Sequence, residues 1–433
     1  MCKRQNTSTA GVVLMARAVR WLLLVVFLLT YAGISARRPH LLPVGRPSVA
    51  LIGACAMVGL GSLAGVHGLH GDEALAAVEP GTMALLTGMM MLAAALELAG
   101  FFGHAASWVL RWTRRPVPLL YLVTVGSGVL SALLVNDAVC LLATPFVMML
   151  CRRTGAPRVP FVLAVTMGAN AGSAMTLAGN PQNMLVARLS GISYARYVAV
   201  AGPAGLVALG VTAVLLHGMF RGELARSAPT PAVEESDAAT DRLLLAASLL
   251  ALLGFTVAAL LGAHLAFGAV TAASVALLAA RKDAPVLLAR VDWTVLVFFS
   301  GLFILVAALR KTGLPDEALA ALTQVLPPRG ASGTALLIGV LLVGSQIVSN
   351  VPLILLLEPW IRGFPDETTA WVLTALVSTL AGNLTLLGSV ANILVIERAG
   401  AQDEVGFRAY TRVGFPVTLL STAAALAVVW LLR

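Results

Sequence analysis

Two adjacent polar residues, Asn136 and Asp137, interrupt an apolar run that extends over residues 117–151. Asp137 is roughly fifteen to twenty residues from the nearest arginines, and a carboxylate at that depth is by default a functional-site hypothesis. When ionised it suits a sodium ion, and when burial keeps it neutral it suits a transferable proton. We therefore interpret Asp137 as the residue of proton coupling, with a structural role at the start of the second arm left open.

A second polar interruption, at residues 176–183, breaks the apolar run 161–189. Its glycine and proline expose backbone groups, which a membrane tolerates only where they are buried in protein or line a wet cavity. The remaining polar side chains are neutral hydrogen-bond donors and acceptors. The substrate- and ion-binding residues predicted around these first two interruptions are Asn136, Asp137, Thr176, Gly179, Asn180 and Asn183.

The same pattern returns in the second half of the chain. Ser131 and Asn136 recur 214 residues later as Ser345 and Asn350, whereas Asp137 has Val351 as its counterpart. The further binding residues predicted in this half are Asn350, Thr385, Gly388 and Asn392. A single Asn or Thr often serves only to hold helices together, but matched sets in both halves favour a binding site.

The composition indicates a polytopic membrane protein. Of 433 residues, 59% are hydrophobic and 11% are charged, against about 25% charged in soluble domains. The net charge of +9 predicts no nucleic-acid partner, because the basic residues flank apolar runs and form no basic face. The four cysteines form no CxxC pair, so we expect no metal site, and no cofactor apart from bound sodium ions. We find no HExxH motif, nucleophile elbow or paired catalytic carboxylates, and we expect no enzyme.

The apolar runs predict the elements that position these residues. Runs near the length of a membrane span cover residues 21–36, 50–66, 82–110, 161–189, 198–220, 243–261, 266–280, 293–309, 369–397 and 415–432. Two longer runs, 117–151 and 334–360, have polar centres and are predicted to be re-entrant hairpins. The predicted fold is an all-α polytopic membrane protein, an inverted repeat of about five transmembrane helices plus one re-entrant hairpin each, with discontinuous helices at the site.

The predicted domains are a first repeat at residues 1–220, a cytoplasmic linker at 221–241 and a second repeat at 242–433. Arginines without acids surround the mouth of the first hairpin, whereas the mouth of the second also carries acidic residues. The first hairpin is therefore expected to open to the cytoplasm and the second away from it. The side of the N-terminus stays open, as does the choice between a buried Glu97–Arg310 pair and separate positions for those two residues.

Four motifs resemble the ion transporter superfamily: LVNDAVCLLATPFVMML, MGANAGSAMTLAGNPQNMLVARLSG, QIVSNVPLILLLEP and LAGNLTLLGSVANILV. They are most similar to its arsenite/antimonite permease and NhaD-type antiporter branch, and more distantly to divalent-anion/sodium symporters and citrate transporters. The resemblance implies a scaffold and a transport domain, an elevator-like movement and a homodimer. The sodium-type ligands that it implies are Ser131, Asn136, Gly179, Ser345, Ser349, Asn350 and Gly388. Val135, Asp137 and Val351 depart from the hairpin tips of the symporters, which weakens the case for a di- or tricarboxylate.

The sequence therefore predicts a secondary active transporter, multi-pass in the cell inner (plasma) membrane. Its cargo would be a small inorganic or organic anion or a metalloid oxyanion, coupled to protons or sodium. The alternative is a sodium/proton antiporter. The expected partners are these ions, the lipid bilayer and a second copy of the chain.

Overall fold

A computed structural model describes residues 4–35, 45–64, 69–226, 240–325 and 327–432. These residues form helices joined by turns, and no strand occurs among them. Ten of the described helices are long and apolar enough to cross a membrane. The prediction of an all-α polytopic membrane protein is confirmed.

The first half of the chain forms ten helices. They are α1 (Arg4–Ser35), α2 (Arg46–Ala64), α3 (Gly71–Ala76), α4 (Pro80–Leu98), α5 (Phe101–Trp112), α6 (Pro116–Leu133), α7 (Asn136–Thr154), α8 (Arg158–Ser173), α9 (Pro181–Ser190) and α10 (Tyr194–Arg226). Residues 227–239 of the predicted linker lie outside the described residues.

The second half repeats this order of long and short helices. They are α11 (Arg242–Leu260), α12 (Leu265–Ala280), α13 (Ala284–Ala289), α14 (Trp293–Lys311), α15 (Leu314–Val325), α16 (Gly330–Ile347), α17 (Asn350–Ile361), α18 (Glu367–Ala381), α19 (Val390–Ala399) and α20 (Phe407–Leu431). Two 3₁₀ turns, Arg281–Asp283 and Leu386–Gly388, precede α13 and α19. The assignment of the halves as domains and their orientation across the membrane stay predictions.

The polar interruptions coincide with the points where helices end and restart. The α6–α7 turn consists of Leu134 and Val135, and the α16–α17 turn consists of Val348 and Ser349. The chain leaves the helical path again between α8 and α9 and between α18 and α19. We name these last two segments the first break (residues 174–180) and the second break (residues 382–389).

The run 82–110, which we predicted to be a single span, is two helices, and this prediction is wrong. Gly100 has a φ of 84° and separates α4 from α5. Its repeat counterpart Gly313, with a φ of 73°, separates α14 from α15 in the same way. Glycine adopts this left-handed conformation without the steric cost that a Cβ imposes, so each half turns sharply after a long helix.

The described chain divides into two compact units. The first contains Met1–Met83, Trp293–Thr334 and Val351–Pro365, and the second contains Ala84–Asp292, Ala335–Asn350 and Asp366–Arg433.

In the first unit, α14 packs along α2, and Arg310 forms an ion pair with Glu358 at 3.1 Å. In the second unit, Glu97 forms an ion pair with Arg290 at 3.4 Å. Glu97 and Arg310 therefore each have an ion-pair partner within their own unit.

Glycines allow α6 and α8 to cross closely within the second unit. A Cβ at Gly172 of α8 would overlap the backbone of Gly128 of α6, and a Cβ at Gly168 would lie 2.5 Å from the carbonyl oxygen of Thr124. Small residues at a helix crossing bring backbones together in membranes. This crossing fixes the first arm of the hairpin against the helix that contains the first break.

We expect Gly172→Ala to lower the stability of the protein, because the added methyl group forces these helices apart. Overpacking of this kind costs about 1–3 kcal/mol. Gly126→Ala is the matched control on α6, since a Cβ there meets nothing within 4 Å. Thermal unfolding in detergent measures both variants, and an equal effect of the two would contradict the close crossing.

Candidate functional site

The tip of the first hairpin is tied to the first break by two hydrogen bonds. The backbone N–H of Asn136, at the start of α7, donates to the carbonyl of Gly179 at 2.8 Å. The hydroxyl of Thr176 donates to the carbonyl of Ala132, near the end of α6, at 2.6 Å. We call this contact the first junction. It joins the helix ends on both sides of the α6–α7 turn to the first break.

Side-chain amides replace the missing helical hydrogen bonds within the first break. Asn180 caps α9 by accepting from the backbone N–H of Asn183 at 2.9 Å. The amide of Asn183 donates to the carbonyls of Ser173 at 3.1 Å and of Thr176 at 2.9 Å. Buried backbone groups need such partners wherever a helix is interrupted. Asn180 and Asn183 therefore stabilise the non-helical backbone of the first break.

The second break is built in the same way. Asn392, the repeat counterpart of Asn183, donates to the carbonyls of Gly382 at 2.8 Å and of Thr385 at 3.2 Å. The hydroxyl of Thr385 donates to the side-chain oxygen of Gln346, on α16, at 2.8 Å. We call the contact between α16 and the second break the second junction.

Asn170 on α8 connects the first junction with the second break. Its side-chain oxygen accepts from the amide of Asn136 at 2.7 Å. Its amide donates to the side-chain oxygens of Asn383 at 2.8 Å and of Asn392 at 3.0 Å. Asn170 is 2% exposed, so a buried amide on a helix of the first half positions the break of the second half.

Thr379 on α18 makes the reciprocal connection. It is the repeat counterpart of Asn170, 209 residues later in the sequence. Its hydroxyl donates to the side chain of Asn183 at 3.1 Å and accepts from that of Asn180 at 3.0 Å. The two breaks therefore belong to one buried, electrically neutral hydrogen-bond network, and such networks specify a single arrangement when their members are satisfied.

Three of the expected sodium-type ligands carry oxygens that lack a partner. Ser131, Ser345 and Asn350 are buried, and their side-chain oxygens make no hydrogen bond within the described residues. A buried polar atom left without a partner costs about 1–3 kcal/mol. A small cation coordinated by these oxygens would remove that cost, so the residues fit the cation that the resemblance implies.

Asp137 and the other expected ligands lie beside this network. Asp137 follows Asn136 on the first turn of α7 and is less buried than Asn136. Ser349 is half-buried in the α16–α17 turn, and Gly388 is buried in the second break. No group of three His, Cys, Asp or Glu side chains in the described part of the chain could hold a metal ion.

The sequence interpretation missed several residues of the network, among them Asn170, Thr379, Gln346 and Tyr197. A signal existed for the tyrosine, because Tyr197 and Pro203 of α10 recur 213 residues later as Tyr410 and Pro416 of α20. Both tyrosines are fully buried. Comparison of the last helices of the two halves would have singled them out.

We expect Tyr197→Phe to weaken the protein more than Tyr410→Phe does. The Tyr197 hydroxyl donates to the carbonyl of Ala174, at the start of the first break, at 2.9 Å. The Tyr410 hydroxyl makes no well-formed hydrogen bond with the described residues. Loss of the Tyr197 bond should cost about 1 kcal/mol or more. Thermal unfolding of the two variants checks this order, and the reverse order would contradict the role of Tyr197.

Comparison with known proteins places this arrangement in a family. The sequence model of the citrate transporter family, CitMHS, matches residues 21–381. The chain belongs to this family. The resemblance to the ion transporter superfamily is thereby confirmed, and within it the matching family is one that the motifs alone had placed at a greater distance than the arsenite permeases.

Two similar proteins match this chain over most of their length, and one solved structure has a similar fold. The silicon efflux transporter LSI3 of Oryza sativa subsp. japonica is 29% identical over 90% of this chain and 93% of its own. The putative transporter arsB of Dictyostelium discoideum is 26% identical over 88% and 86%. A crystal structure of the YdaH transporter of Alcanivorax borkumensis aligns over 96% of this chain and 98% of that chain, with a TM-score of 0.55 at 15% identity. The protein is a multi-pass membrane transporter of the CitMHS family.

Proposed function

We propose that this protein is a secondary active transporter that moves a small anion or metalloid oxyanion across the inner membrane, coupled to protons or sodium. The main support is the single hydrogen-bond network, in which Asn170 and Thr379 each bond to side chains at the break of the other half. A solute bound between two broken helices is the arrangement of many transporters that work by alternating access.

The chemistry of the site favours a hydroxylated or singly charged solute. Its side chains are amides and hydroxyls, which donate to and accept from oxygen atoms without adding charge. The N-termini of α7 and α9 lie at the first junction, and helix N-termini favour negative charge. Asp137 repels a carboxylate unless it is protonated or paired with a cation. A relative named as a silicon efflux transporter supports a small solute of this kind.

Cation binding is the second part of the proposal. The C-terminal ends of α6 and α16 point their carbonyls toward the two hairpin turns, and such ends favour cations. The unpartnered oxygens of Ser131 and Ser345 lie within the last turn of these helices. Sodium bound there, or a proton on Asp137, would couple the movement of the solute to an ion gradient.

A sodium/proton antiporter is the second candidate function. The observation that favours it is Asp137 itself, a carboxyl group at the start of α7 beside a site whose other side chains are neutral. A carboxylate at membrane depth can carry a proton or pair with a metal cation. In this mechanism Asp137 exchanges the two cations and no further solute is needed.

Proteoliposomes separate the two functions. Vesicles with the purified protein receive a sodium or pH gradient and either arsenite, silicic acid, citrate or no solute, and a pH dye reports proton flux. We expect at least one solute to accumulate only when a gradient is imposed. Sodium-driven proton flux without solute would establish the antiporter instead. The absence of both solute accumulation and proton flux, in a protein that is shown to be folded by its cooperative unfolding, would contradict both functions.

We also propose that the protein is a homodimer and that the mouth of its first hairpin faces the cytoplasm. The resemblance supports the dimer, and the arginines at residues 111–115 and 152–158 support the orientation. Light scattering of the detergent-solubilised protein and membrane-impermeant labelling of cysteines in the hairpin mouths test these two points. A monomer, or labelling of the first mouth from outside the cell, would contradict them.

A further inference from the structure

The two breaks differ in how far they are closed. In the first break, every residue is buried except Met175, which is half-buried. The half-buried residues of the second break are Leu384, Thr385, Leu387 and Ser389. Thr176 and Thr385 are repeat counterparts, yet Thr176 is 7% exposed, whereas Thr385 is half-buried. The first break is therefore the more closed of the two in this conformation.

The tyrosines near the start of the last helix of each half differ in the same direction. Tyr197 and Tyr410 are both fully buried. The Tyr197 hydroxyl donates to the carbonyl of Ala174, the first residue of the first break, at 2.9 Å. The repeat counterpart of Ala174 is Asn383, 209 residues later, but the Tyr410 hydroxyl has no hydrogen-bond partner of normal geometry among the described residues. The bond that anchors the closed break is thus missing at the more open one.

Gly414, one turn after Tyr410 on α20, accounts for the missing bond. A Cβ at Gly414 would overlap the carbonyl oxygen of Asn383 and would lie 2.8 Å from that of Leu384. The Asn383 carbonyl therefore lies against the backbone of α20 and not at the Tyr410 hydroxyl. The first half has Ala201 at the equivalent position, and its methyl group prevents an equally close approach. A buried hydroxyl without a partner costs free energy, which a bond to the Asn383 carbonyl would recover.

We propose that the hydrogen bond from each tyrosine is a latch that closes its own break, engaged at the first break and released at the second in this conformation. The second break closes when the Asn383 carbonyl leaves Gly414 and accepts a hydrogen bond from Tyr410. Packed elements of this kind have discrete arrangements and do not deform continuously, so each break has a closed form and an open form. The inference rests on the proposed function for one point only, that the breaks open and close during transport.

Cysteine labelling of the purified full-length protein, without solute, tests the state of each latch. Thr176→Cys and Thr385→Cys are made separately in a variant without its four native cysteines, and a small methanethiosulfonate reagent labels the thiols. Tyr197→Phe should speed the labelling at position 176 about fivefold, the effect of losing one ordinary hydrogen bond. Tyr410→Phe should leave the labelling at position 385 unchanged, because that latch is already released.

Gly414→Ala tests whether the second latch can engage. It copies Ala201 of the first half and displaces the Asn383 carbonyl from its place on α20. Labelling at position 385 should become slower, and Tyr410→Phe added to Gly414→Ala should restore the original rate. Gly210→Ala on α10 is the matched control, since a Cβ there meets nothing within 4 Å, and it should change neither rate.

Three results would overturn the proposal. These are unchanged labelling at position 176 in Tyr197→Phe, unchanged labelling at position 385 in a Gly414→Ala variant that unfolds cooperatively, and slower labelling there that Tyr410→Phe does not reverse. Gly414→Ser replaces the alanine variant, under the same criteria, if the latter does not fold. A wild type that transports no solute contradicts the proposed function alone, since the labelling rates are measured without solute.

Discussion

Asn170→Leu is expected to abolish solute transport while the protein still inserts into the membrane. The substitution keeps most of the side-chain volume but removes the amide that joins Asn136 to Asn383 and Asn392. Three buried amides then lose a partner at once, and each loss costs about 1–3 kcal/mol. We expect a clear fall in the unfolding temperature and separation of the first hairpin tip from the second break.

A matched pair on α18 controls for the general cost of substitutions in this core. Thr379 bonds to the side chains of the first break, whereas the equally buried Thr374 donates within its own helix, to the carbonyl of Ala370 at 2.7 Å. Thr379→Val should therefore impair transport like Asn170→Leu, and Thr374→Val should leave it near the wild-type level. Transport in proteoliposomes measures all three variants. Similar rates for Thr379→Val and Thr374→Val would contradict the crossed network.

Asp137→Asn is expected to abolish coupled transport and leave folding intact. The amide is nearly isosteric with the carboxylate, yet it neither carries a proton nor balances the charge of a cation. Solute accumulation under a pH or sodium gradient should fall to the level of vesicles without protein. The unfolding temperature should stay near the wild-type value, because the amide keeps the size and shape of the carboxyl group.

Asp403→Asn provides the comparison for this substitution, since Asp403 is an exposed residue in the turn before α20. It makes the same chemical change away from the site and should transport as the wild type does. Wild-type accumulation and an unchanged pH dependence in Asp137→Asn would remove Asp137 from the mechanism.

The sequence predicted the parts of the fold that depend on local chemistry. Polar residues inside apolar runs located both hairpin turns and both breaks, because such residues are costly in lipid unless the backbone is specialised there. Gly100 and Gly313 were visible as repeat partners, but their role as helix ends was not. In an apolar run a glycine is also compatible with a continuous helix, and the positive φ that distinguishes the two appears only in the structure.

The connections within the site could not be predicted in the same way. Asn170 and Asn392 are 222 residues apart in sequence, and their contact depends on how helices of the two halves pack. A single buried Asn in a helix gives no indication of its partner. Gln346 was missed for a related reason, because the repeat singles out residues that the two halves share. Gln346 instead differs from the residue at the equivalent place in the first half.

Solute protection of engineered cysteines tests the central claim, that both breaks contribute to a single binding site. Thr176→Cys and Thr385→Cys, made separately in a variant without its four native cysteines, place one thiol in each break. A transported solute should slow the labelling of both thiols by a small methanethiosulfonate reagent, with the same half-maximal solute concentration. Protection of one thiol alone, or of neither by a solute that the variant transports, would contradict the account.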